Sequence, residues 1–122
     1  MRTSIVIEGL RLRACHGVSD EERRQPQWFR IDLRADTDFR PAMESDSLEG
    51  TVSYADIYAL ILREMQQPSK LLEHVAGRIV KSLRRDYPAL THIRLKLLKE
   101  APPIEGLQCE GCGVEIAYES EE

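Results

Sequence analysis

The chain lacks the features that mark membrane proteins and nucleic-acid-binding proteins. No apolar run is longer than a few residues, so no segment is predicted to span a bilayer. No basic stretch is longer than two arginines and the net charge is −4, whereas nucleic-acid binding usually requires a basic stripe. We therefore expect neither a membrane nor a nucleic acid as a partner.

Cysteine is also scarce. Cys15, Cys109 and Cys112 are an odd number, which argues against a closed disulfide framework and favours a reducing cytoplasm. The first residues contain neither an apolar h-region nor a small-residue cleavage site, so no signal peptide is predicted. We expect a cytoplasmic protein.

Several catalytic motifs are missing. The sequence contains no G-x-G-x-x-G, P-loop, G-x-S-x-G or H-E-x-x-H pattern, which disfavours nucleotide-phosphate and catalytic-triad chemistry. A zinc site is conceivable from Cys15, His16, Cys109 and Cys112, but this set lacks the two paired knuckles of structural zinc sites. The C-x-x-C motif precedes a strand pattern, whereas redox motifs of this kind normally open a helix.

What is present fits one soluble domain. A chain of 122 residues can bury one core, and 42% hydrophobic with 31% charged residues is an ordinary globular composition. We expect a single domain over residues 1–118, followed by a frayed acidic tail over residues 119–122.

Period-two alternation predicts four strands. Residues 28–39 place apolar side chains on one parity and charged ones on the other, which is typical of a sheet with one buried face. Residues 5–13 also alternate, but the apolar parity switches at Gly9, which predicts a bulge. Shorter alternating runs lie around residues 93–97 and 114–118.

Two helices separate these strand pairs. Residues 53–66 have helical spacing, with Ser53 as the expected capping residue, and a second helix begins near Leu72 and stops before Pro88. The order β-β-α-α-β-β predicts an α+β fold: a four-stranded antiparallel sheet with both helices on one face. Because such a sheet has two exposed edges, we expect association with other subunits.

Three side chains are candidates for chemistry. Lys99 falls on the apolar parity of its strand, where partial desolvation suits proton transfer, unless the strand has already ended and the side chain reaches water. Glu73 lies in the first turn of the second helix, where it either stabilises the dipole or accepts two parallel N–H donors. Tyr54 begins the first helix, where it lines a cleft or packs in the core.

Seven segments, taken in order, resemble the dihydroneopterin aldolase family and cover nearly the whole chain. Each segment is weak alone, but their order is jointly specific. They are residues 7–11 (IEGLR), 15–18 (CHGV), 21–23 (EER), 48–54 (LEGTVSY), 71–76 (LLEHVA), 99–106 (KEAPPIEG) and 113–116 (GVEI).

The resemblance implies a tunnelling fold and an aldolase reaction. In this family the subunit sheets join into a barrel, typically a ring of four, and two rings stack into an octamer with active sites between subunits. Members convert 7,8-dihydroneopterin into 6-hydroxymethyl-7,8-dihydropterin and glycolaldehyde, a step of folate biosynthesis, and many also epimerise the side chain at C2′ to give dihydromonapterin. The C6=N5 imine of the substrate serves as the electron sink, so no cofactor, metal or Schiff base is implied.

Residue roles follow from the resemblance by position. Lys99, Tyr54 and Glu22 are implied to be catalytic, with Glu22 also near the substrate side chain. The pterin is implied to bind Glu73 and the backbones of Leu72 and of Val52-Ser53, and we expect Val52 and Tyr54 to come from a neighbouring subunit.

The chain departs from the family pattern only in the loop after Lys99. Ala101 stands where Asn is common and Glu105 where Pro is common, and the loop with Cys109 and Cys112 is slightly long. The alternatives are a dihydroneopterin triphosphate epimerase, a non-catalytic pterin-binding ring and the zinc scaffold. His16-Gly17 and the proline pair after Lys99 favour the aldolase.

Overall fold

The protein is described from a computed structural model that covers residues 1–121, so the last residue of the predicted acidic tail lies outside the described part. Its regular elements run in the following order: β1 (Ser4–Ala14), α1 (Asp20–Arg24), β2 (Gln27–Asp36), α2 (Arg40–Ser45), a 3-10 turn (Leu48–Gly50), α3 (Tyr54–Met65), α4 (Leu72–Asp86), β3 (His92–Lys99) and β4 (Cys112–Glu119).

The four strands form one antiparallel sheet in the order β1-β2-β3-β4, and α3 and α4 are inserted between β2 and β3. The predicted α+β topology is therefore confirmed. Two short helices and the 3-10 turn, which the periodicity did not predict, lie in the connections. The outer edges of β1 and β4 carry no neighbouring strand within the described chain.

The sheet has one apolar and one charged face because its strands alternate. Phe29, Ile31, Leu33 and Ala35 of β2 are almost fully buried beneath α3 and α4, and Ile93, Leu95 and Leu97 of β3 continue the same core. The predicted strand over residues 28–39 is too long at its end. The chain leaves the sheet after Asp36, and Phe39 instead precedes α2, whose first turn contains Pro41.

The bulge predicted at Gly9 is confirmed. The register between β1 and β2 shifts between Ile7 and Leu10, and Gly9 has a φ of 64°, which a glycine adopts without steric cost. Its amide donates to Asp32 Oδ1 at 2.6 Å. The bulge keeps apolar side chains facing the core on both sides of the parity switch.

The long helices cover the apolar face of the sheet. In α4, Val75, Ala76, Ile79 and Leu83 are fully buried, as their spacing predicted. In α3 the buried face is centred on Ile57, Ile61 and Met65. Tyr58, which the helical spacing of residues 53–66 also assigns to this face, is exposed. Ser53 precedes α3, but its side chain makes no capping hydrogen bond, so that part of the prediction is wrong. No helix in residues 1–121 is both long and apolar enough to cross a membrane.

His16 joins the sheet to the segment before α4. Its ring is fully buried and meets Phe29 edge-on, with centroids 5.3 Å apart, while Nδ1 accepts a 3.0 Å hydrogen bond from the Ser69 amide. Burial lowers the pKa of His16 from 6.5 to about 4, and the positive charges of Arg78 and Lys99 act in the same direction. The folded protein therefore holds this ring neutral at pH values where a free histidine would be charged.

This burial makes stability depend on pH. Since the pKa of His16 is lower in the folded state, the unfolded state binds more protons between about pH 6.5 and pH 4. The contribution of His16 is complete above pH 6.5 and is lost as the pH falls toward 4, by on the order of 3 kcal/mol. His16→Asn keeps an acceptor for Ser69 but cannot titrate, so we expect urea titrations across this window to show a shallower loss of stability. If the free energy of unfolding depends on pH equally in the two proteins, His16 is not the group responsible.

Candidate active site

The site is centred on an ion pair between Lys99 and Glu22. Lys99 is the last residue of β3 and lies on the buried parity, and its side chain is only 10% exposed. Its Nζ lies 2.6 Å from Glu22 Oε2 and 6.0 Å from the centre of the Phe29 ring. The alternative interpretation, in which the strand has ended and Lys99 reaches water, is therefore wrong.

A capping box on α1 holds Glu22 in place. Glu22 is the third residue of this helix, and its amide donates a hydrogen bond to the Ser19 hydroxyl oxygen at 3.1 Å. The other carboxylate oxygen, Oε1, accepts from Ser19 Oγ at 3.2 Å and more weakly from the Ser19 amide. The hydrogen bond from Lys99 lowers the pKa of the Glu22 carboxyl below its ordinary value. The carboxylate is therefore ionised, and both of its oxygens are occupied.

Gly17 leaves the space that Glu22 occupies. A Cβ at Gly17 would overlap Cβ and Cδ of Glu22 and lie 2.6 Å from Oε2, the oxygen that meets Lys99. The Gly17 amide donates to the Ser69 carbonyl at 3.0 Å, and Arg23 donates to the Gly17 carbonyl at 2.8 Å. Because the backbone is held from both sides, it cannot move away from an added methyl group.

Gly17→Ala should therefore damage the site without removing any charged group. The methyl group must displace Glu22 from Lys99, and we expect kcat/KM to fall by about tenfold or more, with a stability loss of about 1–3 kcal/mol from overpacking. Gly77→Ala is the matched control because a Cβ at that helical position meets nothing within 4 Å. Steady-state kinetics and thermal unfolding of both variants check the expectation, and wild-type kinetics in Gly17→Ala would contradict it.

Ser69 links this ion pair to the start of α4. Its backbone bonds to both His16 and Gly17, and its hydroxyl meets His74 Nδ1 at 2.9 Å and receives Arg78 Nη1 at 2.7 Å. The first turn of α4 therefore lies beside the loop that positions Glu22. This network brings the N-terminus of α4 to the same end of the molecule as Lys99.

The first turn of α4 offers free hydrogen-bonding groups. Glu73 is exposed, and its carboxylate makes no hydrogen bond or ion pair within residues 1–121. Leu71 precedes the helix and its side chain provides no cap, so the amides of Leu72 and Glu73 remain available. A carboxylate beside two free amides can bind a planar group that carries adjacent donors and acceptors.

Tyr54, Val52 and Ser53 lie at the other end of the sheet. With Ile5 and Phe39 they line an apolar surface cavity of about 480 Å³, and Tyr54 is 68% exposed. Across the sheet, Ile5 is level with Ile93 of β3. Ile93 precedes Lys99 by six residues, so about 20 Å of strand separates these two β3 residues. The single chain thus brings Glu22 and Lys99 into contact and places Glu73 on the same side of the molecule, but it does not bring Tyr54 to them.

The zinc hypothesis finds no support in the geometry. Cys109 and Cys112 are close, but His16 is buried and bonded to Ser69. Within residues 1–121, no three His, Cys, Asp or Glu side chains come together in a group that could hold a metal ion.

Sequence reasoning missed Ser19 and Ser69. The Ser19-x-x-Glu22 spacing is a capping-box pattern that could have been recognised. Ser69 carries no such pattern, because its role depends on two segments more than fifty residues apart in the chain.

Known proteins that are similar to this chain share one family description. The family model described as FolB, dihydroneopterin aldolase, matches residues 5–117. A dihydroneopterin aldolase of Staphylococcus epidermidis is 33% identical, with 99% of this chain and all of the relative aligned. That of Bacillus subtilis is 33% identical over 84% of this chain and 86% of the relative.

A solved structure gives the same result for the fold. The Escherichia coli dihydroneopterin aldolase, solved in complex with neopterin, superposes with a TM-score of 0.86 at 26% identity, covering 95% of this chain and 98% of that one. The chain belongs to the dihydroneopterin aldolase family.

Proposed function

We propose that this aldolase of folate biosynthesis cleaves 7,8-dihydroneopterin in a site built from two subunits. Lys99, Glu22 and the first turn of α4 belong to one subunit, and Val52, Ser53 and Tyr54 to its neighbour. The observation that carries the proposal is the Lys99–Glu22 contact of 2.6 Å, since it places a proton donor at a buried strand end. The products are 6-hydroxymethyl-7,8-dihydropterin and glycolaldehyde.

The pterin ring binds at the start of α4. The Glu73 carboxylate accepts from the 2-amino group and N3, which present two parallel N–H donors. The free amide of Leu72 and the Val52-Ser53 backbone meet the remaining polar edge of the ring. The related Escherichia coli enzyme was solved with neopterin, which has the same pterin edge.

The bond that breaks is C1′–C2′ of the side chain. Tyr54 of the second subunit relays the proton of the 2′-hydroxyl, accepting it as its own phenolic proton passes to water. The electron pair of C1′–C2′ moves into the C6=N5 imine, and N5 gains a proton from Lys99, directly or through water. Glycolaldehyde leaves, and an enol-like pterin remains. C1′ then gains a proton while N5 returns one, so one proton has moved from O2′ to C1′ overall.

The substrate itself accepts the electrons, so this sequence of steps requires no Schiff base and no metal. Glu22 keeps the Lys99 ammonium oriented and orders water near the side chain of the substrate. If glycolaldehyde rotates in the site before it leaves and presents the opposite face of its carbonyl, its re-addition gives the C2′ epimer dihydromonapterin. Cleavage and epimerisation therefore share the same groups.

Surface chemistry supports the second subunit. Met43, Leu48 and Tyr54 are all more than half exposed around the apolar cavity, and both outer strands of the sheet have free edges. Pairing of β1 in one copy with β4 in the next would satisfy these edges and close a barrel. We propose that four subunits form a ring and that two such rings stack into an octamer.

A complementation assay tests the shared site. Lys99→Met and Tyr54→Phe each disable one half, so homogeneous preparations should be nearly inactive toward 7,8-dihydroneopterin. Subunits mixed by co-expression should regain activity, because some sites then combine intact Tyr54 with intact Lys99. Chromatography of hydroxymethyl-dihydropterin and dihydromonapterin is the readout. No recovery in a mixed oligomer, shown by mass analysis to contain both subunits, would contradict the proposal.

A further inference from the structure

Cys109 and Cys112 are a reactive pair that the aldolase chemistry does not use. Their sulfur atoms lie 3.6 Å apart, in thiol hydrogen-bond contact. Cys109 is exposed in the loop after β3, and Cys112 is the half-buried first residue of β4. Both are free thiols.

The turn between them lies directly on the strand end that carries the active-site lysine. Cys112 is the partner of Lys99 in the β3–β4 ladder. A Cβ at Gly111 would lie 3.2 Å from the Lys99 carbonyl oxygen and 3.2 Å from Leu98 Cβ. Glycine between the cysteines thus allows the turn to rest on the end of β3, directly beside Lys99.

The distance between the sulfur atoms suits a disulfide better than a metal site. A disulfide bond is about 2.05 Å long, so the sulfurs need to approach by about 1.5 Å, within the reach of side-chain rotation in an exposed turn. Zinc requires four ligands, and in residues 1–121 no third His, Cys, Asp or Glu joins this pair.

We propose that Cys109 and Cys112 form a reversible disulfide site, oxidised by a low-molecular-weight disulfide such as glutathione disulfide, and that closure slows turnover at Lys99. The turnover half of this inference rests on the proposed aldolase site, whereas the thiol chemistry does not. The slowing follows from geometry, because displacement of a catalytic group by about 1 Å can cost up to a hundredfold in rate.

The exchange balances without a further reagent. The Cys109 thiolate attacks one sulfur of glutathione disulfide, the S–S bond breaks, and one glutathione thiolate leaves. The Cys112 thiolate then attacks the Cys109 sulfur, forming the protein disulfide and releasing the second glutathione. Two thiols are oxidised and one disulfide is reduced. The hydrogen bond with Cys109 raises the pKa of the Cys112 thiol, so we assign the first attack to the more exposed Cys109.

Intact-mass analysis tests the thiol chemistry. In a Cys15→Ser background, incubation with glutathione disulfide should lower the mass by two hydrogen atoms and leave no glutathione attached. The matched double variant that also carries Cys109→Ser should instead accumulate one glutathione. Stable glutathione on the two-cysteine protein would overturn the proposal, as would a stoichiometric zinc ion that is lost on Cys109→Ser.

Kinetics and hydrogen exchange test the consequence. We expect kcat of the oxidised protein to be severalfold lower, restored by dithiothreitol, and unaffected by oxidant in a variant that carries both Cys109→Ser and Cys112→Ser. Equal kcat in the two redox states would overturn the turnover half. If neither state cleaves dihydroneopterin, the proposed aldolase site fails. The displacement is then read from the exchange rates of the Lys99 and Cys112 amides, which should differ between redox states and would overturn the inference if identical.

Discussion

Lys99→Met should lower kcat for 7,8-dihydroneopterin cleavage by about 10²–10⁴-fold, the range expected when a general acid–base group is removed. Methionine has a similar length and suits a position on the buried parity of β3, so the fold should survive. The change removes the only partner that Glu22 Oε2 has within residues 1–121, while Oε1 keeps its bonds to Ser19. Product chromatography measures the loss, and thermal unfolding shows whether the protein remains folded.

Lys96→Met is the matched control for this variant. Lys96 lies on the same strand, three residues earlier, but on the exposed parity of the charged face. It should retain nearly wild-type kcat. Comparable losses in both variants would mean that any lysine on β3 affects the rate through charge or folding. Near-normal turnover by folded Lys99→Met would remove Lys99 from the mechanism.

Glu73→Gln should weaken pterin binding by on the order of 2 kcal/mol, or about thirtyfold in Kd, because a charge-assisted pair becomes a neutral contact. The glutamine side chain also has an NH₂ group, which would face the N–H donors of N3 and the 2-amino group instead of accepting from them. Neopterin, the ligand in the related Escherichia coli structure, is the probe, and its binding is titrated by fluorescence.

Glu21 of α1 provides the control for the interpretation that Glu73 only stabilises the dipole of its helix. Glu21 is also an exposed carboxylate in the first turn of a helix, but it has no proposed contact with the pterin. Glu21→Gln should change stability by at most about 1 kcal/mol and leave Kd unchanged. If Glu73→Gln behaves in the same way, Glu73 serves its helix and not the ligand.

Part of this fold and site could be predicted from the sequence because the causes are local. The alternation in β2 and β3 placed Lys99 on the buried parity, and the parity switch at Gly9 placed the bulge. Helical spacing placed Glu73 in the first turn of α4. The limits of elements were less predictable: nothing in the alternation of residues 28–39 indicates that the strand leaves the sheet after Asp36.

Other features depend on contacts that no local pattern encodes. The Glu22 carboxylate reaches Lys99 across 77 residues of sequence, and Ser69 reaches His16 across 53. Parity alone left open whether Lys99 faces water, because burial depends on what packs against the strand end. Tyr54 was equally ambiguous, since only the fold places it in a cavity with Ile5, and Ile5 is level with a β3 residue about 20 Å along the strand from Lys99.

By itself, the sequence determined the order of strands and helices, the buried faces and the family resemblance, since these rest on periodicity and on short segments read in order. Only the tertiary structure decided that Glu22 holds Lys99, that Gly17 leaves room for that contact, and that the two halves of the proposed site lie at opposite ends of one sheet. The physical reason is that ion pairs and steric fits are short-ranged, so they form only after the β2–β3 register and the packing of α1 and α4 have brought distant residues together.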